Sequence, residues 1–196
     1  MIVPITAYGD PVLRKVSKEI DATYPKLEQL IDNMWETMYN ASGVGLAAPQ
    51  IGLAIRLFVI DTTPFAEGDD FSKAEKEQLD GFKKVFINPV IEEERGAEWT
   101  FNEGCLSIPD VREDVSRKSA IKISFLDEDF NKQTAVFDGI LARVIQHEYD
   151  HIEGVLFTDK LSSLKKRILK GKLSNISSGK IEVEYRMRFP NEKKGR

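Results

Sequence analysis

The spacing of apolar residues along the 196-residue chain switches between the period of a helix and the period of a strand. Apolar positions three and four apart predict amphipathic helices over 27–39, over 139–154 and over 161–169. Short apolar runs between polar turn residues predict strands. These strands are 55–60, 85–91, 97–101, 120–126, 133–137 and 181–189. The pattern therefore predicts an α+β fold in which antiparallel β-sheets wrap around one central helix.

The segments between these elements are predicted to be less regular. Residues 1–24 should form an extended arm. Residues 61–84 should form a polar surface loop or a short helix, for which we expect no chemical role. In the third helix, Leu161, Leu164 and Ile168 are predicted to face the core. The last predicted strand alternates strictly, so it should be half-buried.

Length and composition indicate one domain in a reducing compartment. With 41% hydrophobic residues, a chain of this length can bury one substantial core, so we expect residues 1–196 to form a single domain. The single cysteine excludes an internal disulfide. The start of the chain has neither a basic leader nor a long apolar run. We therefore expect a cytoplasmic protein without a membrane segment.

Charge is distributed unevenly along the chain, whose net charge is −4. Residues 160–196, a predicted helix plus strand that extend the domain, hold twelve Lys and Arg but three Glu. Such charge runs usually form a solvated face, which is the interpretation we favour. A basic extension can also contact an anionic surface such as ribosomal RNA, and that alternative stays open. No DNA partner is expected.

The only two histidines lie four positions apart. On a helix, residues i and i+4 share one face, so His147 and His151 can direct their imidazoles at one metal ion. Glu148 is one step round that helix, where its carboxylate can reach a metal-bound water without binding the metal. This is the HExxH arrangement of metal-assisted hydrolysis. A helix that carries two polar histidines without a metal is the simpler alternative.

A third metal ligand would decide between these alternatives, because catalytic zinc-type sites take three protein groups. Cys105 is the single cysteine, and a lone cysteine is usually a small buried hydrophobe. It lies, however, in a glycine-containing segment beside the acidic Glu103. Together with the only two histidines, it is better interpreted as a thiolate ligand.

A glycine-rich block at 43–50 completes the pattern. Taken alone, it would be a turn between a helix and a strand. With the blocks at 103–107 and 146–151, it resembles the peptide deformylases, whose signatures run GxGLAAxQ, EGCLS and QHExDH in this order. The resemblance covers about residues 1–160. It implies an enzyme that removes the formyl group from nascent polypeptides beginning with N-formylmethionine, and releases formate.

The resemblance also implies roles for individual residues. The amide of Gln50 and the backbone N–H of Leu106 would stabilise negative charge on the carbonyl oxygen, and Glu148 would act as general base and then acid. An apolar slot for the methionine side chain would include Ile140, with Arg143 near its rim. Glu103 would pair with Arg117 and so orient the cysteine segment. The implied substrate-binding residues are Val44, Gly45, Glu103, Ile140, Arg143 and Val144.

The identity of the metal is less constrained by the sequence. One thiolate and two imidazoles suit Zn²⁺ on ligand softness. The resemblance implies one Fe²⁺ per chain, with Zn²⁺, Ni²⁺ or Co²⁺ as substitutes. Bound to such an ion, water has its pKa lowered from about 15.7 towards 7, which makes hydroxide available at neutral pH.

Two other functions fit part of the pattern. A zinc endopeptidase also carries HExxH, but it would favour a further carboxylate or histidine ligand downstream, and the chain has no third histidine. A metal-stabilised binding module would keep the three ligands but would need neither Glu148 nor Gln50. Both of those residues are present, which favours the deformylase hypothesis.

Overall fold

Among the described residues, five strands form the main sheet, and their order in the sheet is their order along the chain. The structure is a computed structural model, which describes residues 1–69 and 71–191. Each strand pairs antiparallel with the next. The strands are β2 (Gly45–Ala47), β3 (Leu57–Asp61), β4 (Lys83–Cys105), β5 (Ile108–Leu126) and β6 (Lys132–Asp138). A small second sheet pairs β1 (Ile5–Thr6) with β7 (Met187–Arg188) in parallel.

Helices fill the connections between these strands. The α-helices are α1 (Leu27–Asn40), α2 (Thr63–Glu67), α3 (Lys73–Leu79), α4 (Gly139–Ile152) and α5 (Ser163–Ser177), and single 3₁₀ turns occupy Pro11–Arg14, Ala48–Ile51 and Phe157–Lys160. The predicted helix over 27–39 is confirmed as α1, and the helix over 139–154 is confirmed as α4. The excursion at 61–84 contains the two short helices α2 and α3.

Helix α4 is central because its apolar side packs against the main sheet. Ile140, Ala142 and Ile145 lie in one buried cluster with aromatic side chains of the sheet such as Phe58 and Phe86. Burying each large apolar side chain contributes about 1.5–3 kcal/mol, so this face fixes the rotation of the helix. The side chains of His147 and His151 therefore point in one defined direction. The α+β prediction, with antiparallel strands around a central helix, is confirmed.

The longest strands were predicted in pieces. The predicted strands at 85–91 and 97–101 are parts of the single strand β4, and residues 108–119 belong to β5 although no strand was predicted there. The β4–β5 register shifts at four places, one of them beside Gly96, whose φ is +80°. Each shift interrupts the two-residue alternation on which the prediction depends. Much of 92–98 is also exposed on both faces, so no apolar signal marks it.

The face of α5 that turns towards the core was predicted incorrectly. Leu164 and Ile168 are 65% and 70% exposed, whereas Leu169, Leu173 and Ile176 are buried. The helix continues well beyond the predicted end at residue 169, and its longer apolar stripe over 169–176 decides which face turns inward. The Ser162 hydroxyl accepts a hydrogen bond from the Lys165 backbone N–H and so starts the helix.

The two ends of the chain pair with each other. The predicted strand at 181–189 is hydrogen-bonded as a strand over Met187–Arg188 alone, yet its side chains alternate between half-buried and exposed as predicted. The predicted N-terminal arm contains β1, to which this segment pairs. The end of the predicted basic extension, 192–196, lies outside the described residues. Among the helices that the structure describes, none has the length and apolar character needed to cross a membrane.

Candidate metal centre

A cysteine that is distant in sequence from the two histidines meets them at α4. Cys105 is the last residue of β4, and His147 and His151 lie one turn apart on α4. The candidate ligand atoms of these three residues all lie within 4.8 Å of one another. The Cys105 Sγ atom is 3.3 Å from Nε2 of His151. One thiol and two imidazoles therefore face a common point.

The position of Cys105 depends on the hairpin that joins β4 to β5. The register of the two strands shifts between Gly104 and Cys105, and Cys105 pairs with Ile108 across a two-residue turn. A shift of this kind bends a strand and redirects the side chains that follow it. The thiol is thereby turned towards α4, and Leu106 and Ser107 form the tip of the turn.

A buried ion-pair network holds the second ligand. The Glu103 carboxylate accepts hydrogen bonds from Arg117 at 2.7 and 2.9 Å, from Arg143 at 2.9 Å and from Nδ1 of His147 at 3.0 Å. Burial opposes ionisation of Glu103, but the hydrogen bonds from Arg117 and His147 hold its pKa far below the usual range. Because Nδ1 of His147 donates to this carboxylate, Nε2 is left to face a metal. The predicted pairing of Glu103 with Arg117 is confirmed.

Glu148 is buried beside this cluster and lies directly over β2. A Cβ atom at Gly45 would lie 2.8 Å from Cδ of Glu148, so no other residue fits there without moving the carboxylate. The Oε2 atom of Glu148 has no hydrogen-bond partner among the described residues. Burial raises the pKa of Glu148 to about 7.

These observations match the chemistry of a divalent metal site. A buried carboxylate oxygen without a partner is costly unless something polar approaches it. Here it lies on the residue next to His147, beside a thiol and two imidazoles that suit Zn²⁺ or Fe²⁺ better than Mg²⁺ or Ca²⁺. The residues present therefore fit a divalent ion with an accompanying water.

The side-chain amide of Gln50 is a hydrogen-bond donor beside the thiol. Gln50 is 1% exposed, and its Oε1 atom accepts a 2.8 Å hydrogen bond from the Ala47 backbone N–H. This contact orients the amide so that its Nε2 atom points at Cys105 Sγ, 3.6 Å away, and at Ser107 Oγ, 3.4 Å away. Leu106 follows the thiol, and its side chain packs on Gly43.

A cavity of about 420 Å³ opens onto these groups. Of the predicted site residues, those that line it are Val44, Gly45, Gln50, Glu103, Cys105, Leu106, Arg143, Val144, His147 and Glu148. Ile140 does not line it, because it lies one helical turn further from His147 than Val144 and packs in the apolar core. The place of Ile140 in the methionine slot therefore stays a prediction.

Arg143 was predicted to lie near the rim of the slot, but it is buried. It is 2% exposed, and its guanidinium donates to Glu103 and to the carbonyl oxygens of Trp99 and Val115, at 2.6 and 3.0 Å respectively. The guanidinium also lies over the Trp99 ring, 4.5 Å from its centroid. Arg143 forms the inner wall of the cavity because the Glu103 charge draws it inward.

The comparisons with known proteins agree with this geometry. A family model described as polypeptide deformylase matches residues 2–167. The chain belongs to this family. The peptide deformylase of Christiangramia forsetii is 66% identical to it and that of Flavobacterium johnsoniae 64% identical, with each match covering 100% of this chain and 100% of the relative.

Solved deformylase structures share the fold. A peptide deformylase from Legionella pneumophila is 38% identical, with a TM-score of 0.75, and the match covers 89% of this chain and 95% of that one. An inhibitor complex of Arabidopsis thaliana peptide deformylase 1B is 32% identical, with a TM-score of 0.76, and the match covers 91% and 92%. The predicted family, fold class and hydrolase class are confirmed.

Several cavity residues of this deformylase-family chain were not predicted. Phe65 lies on α2, within the excursion for which no chemical role was expected, and it lines the cavity together with Phe101. Tyr185 lines it from the C-terminal segment, outside the region that the family model matches. The one available signal was an aromatic residue in an otherwise polar stretch, which does not distinguish a cavity wall from core.

Proposed function

We propose that this chain removes the N-formyl group by holding a divalent metal with Cys105, His147 and His151 and by moving protons with Glu148. The reaction itself follows from family membership: the chain deformylates peptides that begin with N-formylmethionine. One observation carries the proposed roles. Three ligand atoms within 4.8 Å of one another lie beside a buried carboxylate oxygen that has no hydrogen-bond partner in the described part of the chain.

The proposed metal is Fe²⁺, one per chain, with Zn²⁺, Ni²⁺ or Co²⁺ as functional substitutes. The mixed set of one sulfur and two imidazole nitrogens supports an ion of this group. When bound, the ion would activate a water molecule and polarise the formyl carbonyl. The contact from Glu103 keeps His147 in the tautomer that can bind the ion.

Glu148 is the proposed proton carrier. Its unpartnered oxygen can accept the proton of the attacking water, and the same carboxyl group can pass a proton to the nitrogen that leaves. Gly45 supports this role because the absence of a side chain there lets the carboxylate lie against β2. One carboxylate therefore serves both proton transfers.

Negative charge develops on the formyl oxygen during attack. The Nε2 group of Gln50 and the backbone N–H of Leu106 are the proposed donors to it, since the first contacts the thiol of Cys105 and the second belongs to the residue that follows Cys105. Neutral donors held in place before the reaction are the type of group that stabilises an oxyanion, and each typically contributes about 10²–10³ in rate. The contact from Ala47 to the Gln50 Oε1 atom prevents the amide from turning round.

The substrate would enter along the open side of the cavity. Val44 and Val144, with the unpredicted Phe65 and Phe101, supply an apolar wall for the methionine side chain. Gly43 and Gly45 keep the protein main chain accessible where the peptide backbone would lie. Glu103 and Arg143 belong to the wall of the site but are engaged with each other, so their proposed effect on substrate is indirect.

A test separates this proposal from the alternatives. The chain is purified without oxygen, its metal is measured by elemental analysis, and it is given formyl-Met-Ala-Ser and, separately, casein. We expect formate release, no internal cleavage of casein, loss of activity on chelation and recovery on adding Fe²⁺. Cleavage of casein would support an endopeptidase instead, and stoichiometric metal without formate release would support a binding module.

We propose that the chain is located in the cytoplasm and contacts the ribosome there. A metal-binding thiolate such as Cys105 is protected from oxidation in a reducing compartment. The outer face of α5 carries exposed Leu164 and Ile168 beside exposed Arg167 and Lys170, a mixed surface that suits contact with ribosomal RNA and protein. Ribosome binding that weakens steeply with added salt would support this contact. Binding that is absent or insensitive to salt would leave α5 as a solvated face.

A further inference from the structure

The C-terminal segment reaches the cavity although it lies beyond residue 167, where the family match ends. Tyr185 lines the cavity, and its hydroxyl donates a 2.8 Å hydrogen bond to the backbone carbonyl of Leu106. The same hairpin is contacted a second time from the C-terminal half, because Lys172 of α5 donates to the carbonyl of Asp110. The hairpin that carries Cys105 is thus held from a part of the chain that has no signature motif.

The segment that carries Tyr185 is itself anchored to the body of the protein. The Ile5 N–H donates to the Arg186 carbonyl at 2.8 Å, and the Ala7 N–H donates to the Arg188 carbonyl at 2.9 Å. The Arg188 side chain donates to Thr6 Oγ1 at 3.1 Å and pairs with the Asp10 carboxylate at 3.2 Å. Tyr185 therefore lies just before a fixed strand, and its hydroxyl can hold another group in place.

Among the described residues, two hydrogen bonds from outside the hairpin hold the backbone of the turn that Tyr185 contacts. Leu106 and Ser107 are the two tip residues between Cys105 and Ile108. The Tyr8 N–H donates to the Ser107 carbonyl at 2.9 Å, which holds the second peptide group of the tip. The hydrogen bond from Tyr185 is the corresponding restraint on the carbonyl of Leu106. Without it, the peptide group between Leu106 and Ser107 could rotate, and the backbone of Leu106, which also carries the N–H of the preceding peptide group, would be held less firmly.

We propose that Tyr185 is a positioning residue for deformylation, which holds the Leu106 carbonyl so that the Leu106 N–H stays aimed at the formyl oxygen. This inference rests on the proposed role of that N–H as an oxyanion donor. Electrostatic stabilisation by a backbone donor depends on its direction, and that direction must be set before the reaction begins. The segment beyond residue 167 thereby contributes to the rate of the reaction through its contact with the turn.

The test uses Tyr185→Phe, which keeps the ring in the cavity wall and removes the hydroxyl. A misdirected donor is less costly than an absent one, so we expect kcat to fall about tenfold, below the loss of about 10²–10³ for a missing donor. The KM for formyl-Met-Ala-Ser should stay within about twofold, because ground-state contacts are unchanged. Metal content and binding of the product peptide Met-Ala-Ser should match those of the unaltered chain.

The matched control is Tyr39→Phe, which also removes a tyrosine hydroxyl that donates a hydrogen bond. The Tyr39 hydroxyl donates to Asp61 at 2.6 Å, and Tyr39 is not part of the cavity lining. We expect Tyr39→Phe to keep the kcat of the unaltered chain. Unchanged kcat in Tyr185→Phe would overturn the inference. A raised KM with unchanged kcat would overturn it by making Tyr185 a substrate contact, and lost metal would overturn it by making the role structural.

The unaltered chain and Glu148→Ala are measured in the same assay. If the unaltered chain releases no formate, the proposed function fails, and if Glu148→Ala is fully active, its proposed general-base role fails. If both behave as proposed but Tyr185→Phe matches the unaltered chain, the inference about Tyr185 alone is wrong.

Discussion

Replacing Glu103 by Gln should weaken both the fold and the metal site. Glu103 is 5% exposed and faces Arg117, Arg143 and His147 at 2.7–3.0 Å. Removing one partner of a buried ion pair usually costs about 3–5 kcal/mol, because a charge is left buried without compensation. Here the loss is moderated, since Arg117 keeps a 2.6 Å contact with Asp150.

We therefore expect Glu103→Gln to lower the free energy of unfolding by about 3 kcal/mol, at the lower end of that range. For a chain of this size, such a loss lowers Tm by about 6–12 °C. Metal affinity should fall about 10–100-fold, because the contact that orients His147 is altered. Thermal unfolding of the metal-free chain measures the change in stability. Titration of the same metal-free chain with the metal ion measures the change in affinity.

The matched control for this prediction is Glu98→Gln. Glu98 lies on the same strand, β4, and pairs with Lys118 at 3.6 Å on the surface, where an ion pair contributes at most about 1 kcal/mol. If Glu103→Gln and Glu98→Gln lower Tm equally and leave metal affinity unchanged, the network around Glu103 does not support the site and the reasoning is refuted.

Three further predictions concern single residues. Glu148→Ala should retain its metal, as measured by elemental analysis, while the rate of formate release falls about 10²–10⁴-fold because the general base is lost. Near-normal turnover would exclude that role. Gly45→Ala should keep metal but lower kcat about 10²-fold, because the new Cβ displaces the Glu148 carboxylate; normal kcat would mean that the carboxylate tolerates the shift. Gly171→Ala should raise the free energy of unfolding, measured with heat or urea, by up to about 1 kcal/mol, since Gly171 lies within α5 and a new Cβ there would meet no atom within 4 Å. A less stable Gly171→Ala chain would show that this helix is more constrained than its contacts indicate.

The arrangement of the histidines could be predicted from the sequence because it depends on local geometry. Four residues make about one helical turn, so His147 and His151 share a face in any helix, and Glu148 lies beside that face. The apolar positions that define α1 and α4 follow the same local rule. These features need no knowledge of the rest of the chain.

Other features depended on contacts between distant segments. Leu164 and Ile168 were predicted to face inward, but the burial of Leu169, Leu173 and Ile176 decides the rotation of α5. A short window with two helical faces of similar apolar content cannot distinguish them. The choice requires the surface against which the helix packs.

The sequence by itself determined the type of the long helices and of most strands, the helical spacing of the two histidines and, through its motifs, the family. The tertiary structure alone decided that Glu103 also joins Arg143 and His147, that Arg143 lies inside the wall, and that Tyr185 reaches Leu106. The physical reason is range. Periodicity acts over one or two turns of chain, whereas buried charges and hydroxyls find partners that are brought near them by the folding of the whole domain.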